Sequence, residues 1–304
     1  MKILVLEGGD SSERAVSLRS AESVVRGLEA SGYSVTRYDT KDGLDKLALL
    51  AKEADVVFPV LHGVGGEDGA VQTLLEEVDA RYLGATASVS RHCFDKYQTK
   101  ITVQANGMVT PKAELVDEAT YKQSVLTQKP YVLKPNQGGS SIDTFLVRDP
   151  SKIDDNVARE ITTALEQYPK MLIEELIDGQ EITVSILGEV ALPVIEIVPP
   201  ANEEFDYENK YNGKTQELCP PQNVSEAIQK EAQNLAIKVQ KILGVRHLSR
   251  VDMMLRGDQL YILEINTMPG LTDQSLFPKS ARVAGLDMAQ LSHKLLVLAN
   301  TSVA

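Results

Sequence analysis

The chain has 304 residues, 43% of them hydrophobic and 24% charged, and its formal net charge is −12 at pH 7. These values are typical of a soluble globular protein with two or three domains, not of a disordered chain. The negative charge argues against a nucleic-acid or anionic-membrane partner, because both require a basic surface.

The ends and the cysteines give the expected compartment. No apolar run approaches the roughly 18 to 20 residues of a membrane span. A strand that begins at Lys2 leaves no place for the core of a signal peptide. The two cysteines, Cys93 and Cys219, have no metal-binding spacing, which favours two free thiols. We therefore expect a cytoplasmic protein.

The first 90 residues predict an open parallel sheet. Hydrophobic periodicity indicates strands at 2–6, 33–38 and 56–61, and helices at 16–32 and 44–54. In such sheets, ligands bind at the carboxyl ends of the strands. Glu13 follows the first strand and His62 follows the third, so both are candidate site residues. The alternatives are an acidic residue that stabilises a helix start and a histidine paired with backbone.

The next segment contains lysines in positions suited to phosphate. A helix is predicted from Ser88 to Asn106 and carries Lys96, and strands are predicted at 131–135 and 144–147. Lys134 lies at the end of the first strand, before the loop Asn-Gln-Gly-Gly-Ser-Ser. Loop amides, hydroxyls and such a lysine can surround phosphate oxygens, although this loop is not a Walker A motif. A plain hairpin connection is the alternative.

The C-terminal part predicts an antiparallel sheet. Strands are expected at 171–175, 181–187 and 192–198, and helices at 225–243 and 288–298. The polar and aromatic segment 205–213 has no clean periodicity and is expected to be a loop.

A hairpin of residues 248–275 brings acidic side chains together. Its strands are expected at 250–255 and 260–266, with Asp252 on one and Glu264 and Asn266 on the other. For Asp252 to share a face with Glu264, we expect a loop of odd length, such as 257–259. Oxygen-only ligands of this kind suit Mg²⁺ carried with phosphates, whereas the alternative is a solvated acidic face. The other face is expected to be apolar and to consist of Val251, Met253, Leu255, Tyr261, Leu263 and Ile265.

Seven motifs in order resemble one family. They are GGDSSERAVSLRSA (8–21), HGVGGEDGAVQ (62–72), DKYQTK (95–100), KPNQGGSS (134–141), EELIDGQEITVSILG (174–188), DYENKY (206–211), and RVDMM with LEINTMPGLTDQSLFP (250–278). Together they resemble the D-alanine–D-alanine ligase family of the ATP-grasp superfamily. The resemblance implies an α/β chain, α+β towards its C-terminus, with an ATP-grasp fold in three parts. These are a substrate-binding parallel-sheet domain (1–90), a small central domain with the Gly/Ser loop (91–173), and a mainly antiparallel C-terminal domain (174–304).

The implied reaction joins two D-alanines for peptidoglycan, using ATP and an acyl-phosphate intermediate. By resemblance, Glu13 binds the ammonium group of the first D-alanine and His62 lies near its carboxylate. Arg250 and the amide of Gly270 stabilise the oxyanion, and Ser275 binds the carboxylate of the second D-alanine. Ser140 and Tyr211 form bridges to Glu13 that close the site.

The resemblance also implies the ATP and metal ligands. Lys96 and Lys134 contact phosphates, and Lys210 reaches the transferred phosphate. The adenine pocket is lined by Glu174, Glu175 and Ile177, and Glu181 takes the ribose hydroxyls. Asp252, Glu264 and Asn266 bind two Mg²⁺ ions, for which Mn²⁺ can substitute. A homodimer is also implied.

Three positions depart from the family pattern. Asp143 and the segment His247–Ser249 stand where glycine is common, and Gln274 stands where histidine is frequent. Two alternatives therefore stay open. One is a ligase that uses D-lactate or D-serine as the second substrate, although Tyr211 favours an amine. The other is an ATP-binding protein without catalysis.

Overall fold

The computed structural model describes residues 1–200 and 215–301. Its N-terminal part is a three-stranded parallel sheet in the order β2-β1-β3, which confirms the predicted open sheet. The strands are β1 (Lys2–Glu7), β2 (Ser34–Asp39) and β3 (Val56–Pro59), and the helices are α1 (Arg14–Ala30), α2 (Leu44–Glu53) and α3 (Ala70–Glu77).

The single helix predicted over 88–106 is wrong. The structure has two helices here, α4 (Ala87–Phe94) and α5 (Lys96–Ala105), separated at Asp95. Asp95 has extended backbone, and its carboxylate accepts a hydrogen bond from the amide of Gln98 at 2.9 Å. The residue therefore acts as an N-cap, and the new helix starts at Lys96.

A four-stranded antiparallel sheet follows, in the order β4-β7-β5-β6. Its strands are β4 (Ala113–Val116), β5 (Tyr131–Pro135), β6 (Phe145–Val147) and β7 (Met171–Glu175). The short helix α6 (Glu118–Tyr121) and the amphipathic helix α7 (Asp155–Gln167) accompany it. Ile161, Ala164 and Leu165 of α7 pack into the core of this sheet.

The C-terminal sheet has the strand path β11-β10-β8-β12-β13, and β9 pairs with β8. Its strands are β8 (Gln180–Leu187), β9 (Val190–Ala191), β10 (Ile195–Val198), β11 (Gln216–Leu218), β12 (Leu248–Arg256) and β13 (Gln259–Asn266), and the helices are α8 (Glu226–Leu243), α9 (Leu276–Val283) and α10 (Met288–Thr301). The strand expected over 192–198 begins only at Ile195, and Pro193 before it has no N–H for a ladder hydrogen bond.

The β12–β13 hairpin reaches the expected pairing by another route. Its turn has two residues, Gly257 and Asp258, because Arg256 pairs with Gln259. A bulge at Leu263 then shifts the register by one residue, so that Asp252 lies opposite Glu264. The expected loop of odd length is therefore wrong, while the predicted pairing is confirmed.

The predicted apolar face of β13 is partly wrong, because the two-residue turn and the bulge change which side chains face the core. Leu260, Ile262 and Ile265 lie in the core, whereas Tyr261 and Leu263 do not. On β12, Val251, Met253 and Leu255 are buried as expected.

The parts share their cores. Cys93 of α4 and Val103 of α5 pack with the C-terminal sheet, and α10 packs along α1 against the parallel sheet. The expected domain boundaries at 90 and 173 stay predictions. Neither Cys93 nor Cys219 is in a disulfide, as expected. Within 1–200 and 215–301, the helices are too short or too polar to cross a membrane.

Candidate active site

Two cavities meet where the three sheets approach each other. The smaller cavity, of about 520 Å³, lies between the central and C-terminal sheets. The larger cavity, of about 1140 Å³, lies against α1 and the loop after β13. Both are lined by Lys96, Ser140 and Glu264 and by the glycines 138 and 139. A group bound in one cavity can therefore reach a group bound in the other.

The smaller cavity has apolar and charged side chains in its lining. Its apolar lining includes Val132, Leu146, Ile177, Val198, Met254 and Leu263. Its polar groups include the predicted residues Lys96, Lys134, Glu174, Glu175, Glu181, Asp252 and Glu264. Apolar walls with polar groups that converge on the cavity are the usual form of a small-molecule site.

Both lysines contact oxygen atoms of neighbouring residues. Lys96 Nζ donates to the carbonyl of Gly138 at 2.6 Å, which ties α5 to the Gly/Ser loop. Lys134 Nζ lies 2.5 Å from Oε1 of Glu174 at the end of β7. Burial lowers the pKa of Lys96. At Lys134 burial acts in the same direction, but the nearby carboxylates, chiefly those of Glu174 and Glu264, together outweigh it and raise the pKa.

The Gly/Ser loop contacts the start of α1 where the two cavities meet. Ser140 Oγ donates a hydrogen bond to Oε1 of Glu13, which is the N-cap residue of α1. A Cβ at Gly139 would lie 2.9 Å from Oε2 of the same carboxylate. The predicted Ser140–Glu13 bridge is therefore present. It requires the loop backbone to come close, which glycine permits.

His62 is buried and uncharged in the larger cavity. Its Nδ1 lies 3.1 Å from the carbonyl of Met268, so this nitrogen carries the proton and donates. Its Nε2 accepts from the hydroxyl of Ser20, which itself accepts from the amide of Leu271. Burial lowers the pKa of His62 to about 4, and Arg250 contributes in the same direction. The imidazole thus fixes the loop after β13 to α1.

Arg250 and Asp252 form a rigid pair on β12. Nε and an Nη of Arg250 donate to the two carboxylate oxygens at 2.8 and 2.7 Å, and Thr183 Oγ1 donates to Oδ1 at 2.5 Å. Burial opposes the charge of Arg250, but Asp252 keeps its pKa above the ordinary value. The guanidinium therefore stays positive beside the larger cavity.

The predicted metal ligands fit a hard cation. Asp252 faces Glu264, and Asn266 lies opposite Arg250 in the same ladder. The set supplies oxygen donors only, and one face of the hairpin presents them together. Lys96 Nζ lies 3.9 Å from Oε2 of Glu264 and forms an ion pair with it. Carboxylate and amide oxygens match the preference of Mg²⁺.

The loop after β13 brings the remaining predicted residues to the larger cavity. Gly270, Gln274 and Ser275 line it. Ser275 is the N-cap residue of α9, and its Oγ accepts from the amide of Thr272 at 3.2 Å. A Cβ at Gly270 would lie 2.8 Å from that oxygen, so the loop is tightly folded at this point.

Lys210 and Tyr211 lie outside the described residues, so their predicted roles stay predictions.

Two further predicted residues lie at the smaller cavity. Glu175 lies 3.5 Å from the guanidinium of Arg256 at the rim of the smaller cavity. Glu181 pairs with Met254 in the sheet that forms its floor.

Glu67 was missed as a site residue. It lines the larger cavity, and its Oε2 accepts from the amide of Gly63 at 2.7 Å. Burial and the nearby charge of Glu13 raise the pKa of Glu67 to about 8. The motif HGVGGEDG contains this residue next to Asp68. Two acids before a predicted helix are also typical of a helix start, so the sequence did not indicate that the carboxylate of Glu67 faces the cavity.

Two departures from the family pattern have a backbone explanation. Asp143 has φ +50° and His247 has φ +67°, in the left-handed region that glycine adopts most easily. Asp143 also accepts a hydrogen bond from the hydroxyl of Tyr168 at 2.5 Å. Both side chains are therefore accommodated in conformations where glycine is the usual residue.

A cavity between two antiparallel sheets, lined by apolar side chains, lysines and paired acids, is the arrangement of the ATP-grasp class of ligases. The model of the D-ala D-ala ligase C-terminus matches residues 97–297, and that of the D-ala D-ala ligase N-terminus matches residues 40–85. The chain therefore belongs to the D-alanine–D-alanine ligase family.

Individual relatives agree over nearly the whole chain. The D-alanine–D-alanine ligase of Xanthobacter autotrophicus is 40% identical, with 95% of each chain covered. The structure of the Bacillus anthracis D-alanine–D-alanine ligase complexed with ATP has a TM-score of 0.84 and 29% identity, covering 98% of this chain and 97% of that one. The VanG D-Ala:D-Ser ligase of Enterococcus faecalis has a TM-score of 0.80 and 26% identity, covering 98% and 99%.

Proposed function

We propose that this chain uses ATP to join two D-alanines into D-alanyl-D-alanine, a precursor of peptidoglycan. The observation that carries the proposal is the junction of the two cavities at Lys96, Ser140 and Glu264. A nucleotide in the smaller cavity places its terminal phosphate at this junction, where a carboxylate in the larger cavity can receive it. Membership of the family and the ATP complex of a similar ligase support this reading.

In the first step, a carboxylate oxygen of the first D-alanine attacks the γ-phosphorus and ADP leaves. Glu13 binds the ammonium group of that substrate. Lys96 and Lys134 offset the phosphate charge, and their burial strengthens this electrostatic effect. Asp252, Glu264 and Asn266 would hold Mg²⁺, which supplies charge neutralisation between the phosphates.

In the second step, the amine of the second D-alanine attacks the acyl carbon. A proton leaves the nitrogen, and inorganic phosphate is expelled as the C–N bond becomes an amide. Arg250 and the amide of Gly270 stabilise the oxyanion that forms, and Ser275 binds the carboxylate of the attacking molecule. The Ser140–Glu13 bridge excludes water, which would otherwise hydrolyse the acyl phosphate.

The test measures phosphate and dipeptide together with Mg-ATP and D-alanine, and uses L-alanine as the control. Equal amounts of phosphate and D-alanyl-D-alanine, absent with L-alanine, are expected. ATP binding without phosphate release would favour the protein without catalysis.

D-Serine is a second candidate for the attacking substrate, because the chain also resembles a D-Ala:D-Ser ligase and has Gln274 in the larger cavity. Competition among D-alanine, D-serine and D-lactate, with product analysis across pH, decides between them. A dominant ester product would identify D-lactate as the preferred second substrate.

The proposal includes Mg²⁺ replaceable by Mn²⁺, a homodimer and a cytoplasmic location, all supported by family membership. Light scattering at several protein concentrations tests the dimer, and a mass of about twice 33.2 kDa is expected.

A further inference from the structure

Lys100 is a buried lysine that the proposed mechanism does not use. It lies on α5, one turn after Lys96, and its side chain is 3% exposed. Its Nζ lies 2.6 Å from Oε2 of Glu174 and donates to Oγ1 of Thr110 at 2.8 Å. It does not line either cavity.

Glu174 is therefore shared by two lysines. Lys134 approaches one carboxylate oxygen from the smaller cavity, and Lys100 approaches the other from behind. The carboxylate itself is 3% exposed. Burial opposes its charge, but the two lysines outweigh burial and keep the pKa of Glu174 below its ordinary value. The three groups together carry one excess positive charge.

Of these two lysines, only Lys134 can present the positive charge to a ligand in the smaller cavity. Its side chain is 12% exposed and lines the smaller cavity, whereas that of Lys100 is enclosed. In the absence of Lys100, a movement of Lys134 from Glu174 towards a phosphate would leave a buried carboxylate without a cation beside it, at a high cost. With Lys100 in contact, the carboxylate stays neutralised.

We propose that Lys100 is a positioning residue for ATP: it neutralises Glu174 from behind, so that Lys134 can leave this carboxylate and bind phosphate. The inference rests on the proposed function, in which Lys134 contacts ATP. It explains why two lysines contact one acid at the wall of the smaller cavity. It also predicts that loss of Lys100 weakens nucleotide binding, although Lys100 touches no nucleotide.

The test compares Lys100→Met, Lys100→Arg, Glu174→Gln and the double variant Lys100→Met/Glu174→Gln in the full-length chain. Lys112→Met, at an exposed lysine, is the control. Titration calorimetry with Mg²⁺ and adenylyl-imidodiphosphate gives the Kd, and steady-state assays give separate KM values for ATP and D-alanine. Thermal unfolding shows whether each variant folds.

Lys100→Met should raise the Kd about tenfold or more, because Glu174 then holds Lys134 and also repels phosphate. The KM for D-alanine at its first site should stay within about twofold, and Lys100→Arg should retain most of the affinity. The double variant should bind within about threefold of Glu174→Gln alone, because Lys100 has no carboxylate to neutralise in that background.

A double variant whose Kd lies more than about threefold above that of Glu174→Gln alone would overturn the inference, and so would unchanged binding by Lys100→Met. If Lys100→Met does not fold, the comparison of the double variant with Glu174→Gln decides alone. Failure of the unaltered chain to bind the analogue would overturn the proposed function and this inference with it. Binding without ligation would refute only the proposed function.

Discussion

Asp252 lies directly opposite Glu264 in the β12–β13 hairpin, and the unpaired residue Leu263 makes this pairing compatible with a two-residue turn. Without the bulge, the side-chain alternation of a two-residue hairpin would place the two acids on opposite faces. The bulge also turns Leu263 towards the smaller cavity. One inserted residue thus aligns the two acids proposed to bind metal and adds an apolar side chain to the wall of the smaller cavity.

Replacing either acid should abolish most of the activity. Asp252→Asn or Glu264→Gln is expected to lower kcat about 100-fold or more at saturating ATP, because each removes a negative ligand from the cation site. Asp258→Asn is the matched control, since Asp258 lies exposed in the turn of the same hairpin. Rates measured over a range of Mg²⁺ concentrations check the prediction, and equal rates in the acid variants and the control would contradict it.

Ser140→Ala should uncouple ATP use from ligation. The change removes the hydrogen bond that closes the Gly/Ser loop onto Glu13. We expect kcat to fall about tenfold, with more phosphate than dipeptide released, because water then reaches the acyl phosphate. Ser151→Ala, in an exposed turn, serves as the control. A ratio of phosphate to dipeptide that stays at one in Ser140→Ala would disprove the closing role.

The sequence predicted the elements that have a strong period and the residues that belong to motifs. The parallel sheet, the hairpin pairing and the Ser140–Glu13 bridge are such cases. It did not predict the break at Asp95, because the apolar spacing of α4 and α5 is compatible with one continuous helix. Nor did it predict the bulge at Leu263, since local pattern cannot distinguish a longer turn from an inserted residue.

Buried charge was also hard to predict. Glu67 and Lys100 belong to quoted motifs, but their burial depends on elements far away in sequence. Lys100 is enclosed because β7 brings Glu174 next to α5. A charged residue on a helix is usually solvated, and only the packing of that helix shows otherwise.

Tyr168→Phe should loosen the Gly/Ser loop. The tyrosine hydroxyl donates to Asp143, which holds the left-handed backbone at the end of this loop next to α7. Loss of a hydrogen bond to a charged group removes about 1.5–3 kcal/mol, part of which stabilises the ordered loop. We expect a KM for ATP about threefold to tenfold higher and faster proteolytic cleavage between 136 and 144. Tyr33→Phe, whose hydroxyl contacts His293 on another surface, is the control.

The two buried histidines should make the fold sensitive to mild acid. Burial lowers the pKa of His62 and of His247 to about 4, and Nδ1 of His247 accepts from the amide of Gly84 at 3.0 Å. In the unfolded chain their pKa is about 6.5, so the unfolded state binds more protons between pH 6.5 and 4. The free energy of unfolding therefore falls as the pH decreases through this window, and each histidine contributes up to about 3 kcal/mol of that loss.

His247→Asn isolates one of these contributions outside the larger cavity. Asparagine tolerates the left-handed backbone at this position and has no proton to gain. Its free energy of unfolding should decrease by about 2–3 kcal/mol less than that of the unaltered chain between pH 7 and 4.5. Urea unfolding at the two pH values measures the difference, with His293→Asn on the exposed face of α10 as the control. An equal decrease in the His247 variant and in the unaltered chain would show that this histidine is charged in the folded state as readily as in the unfolded one.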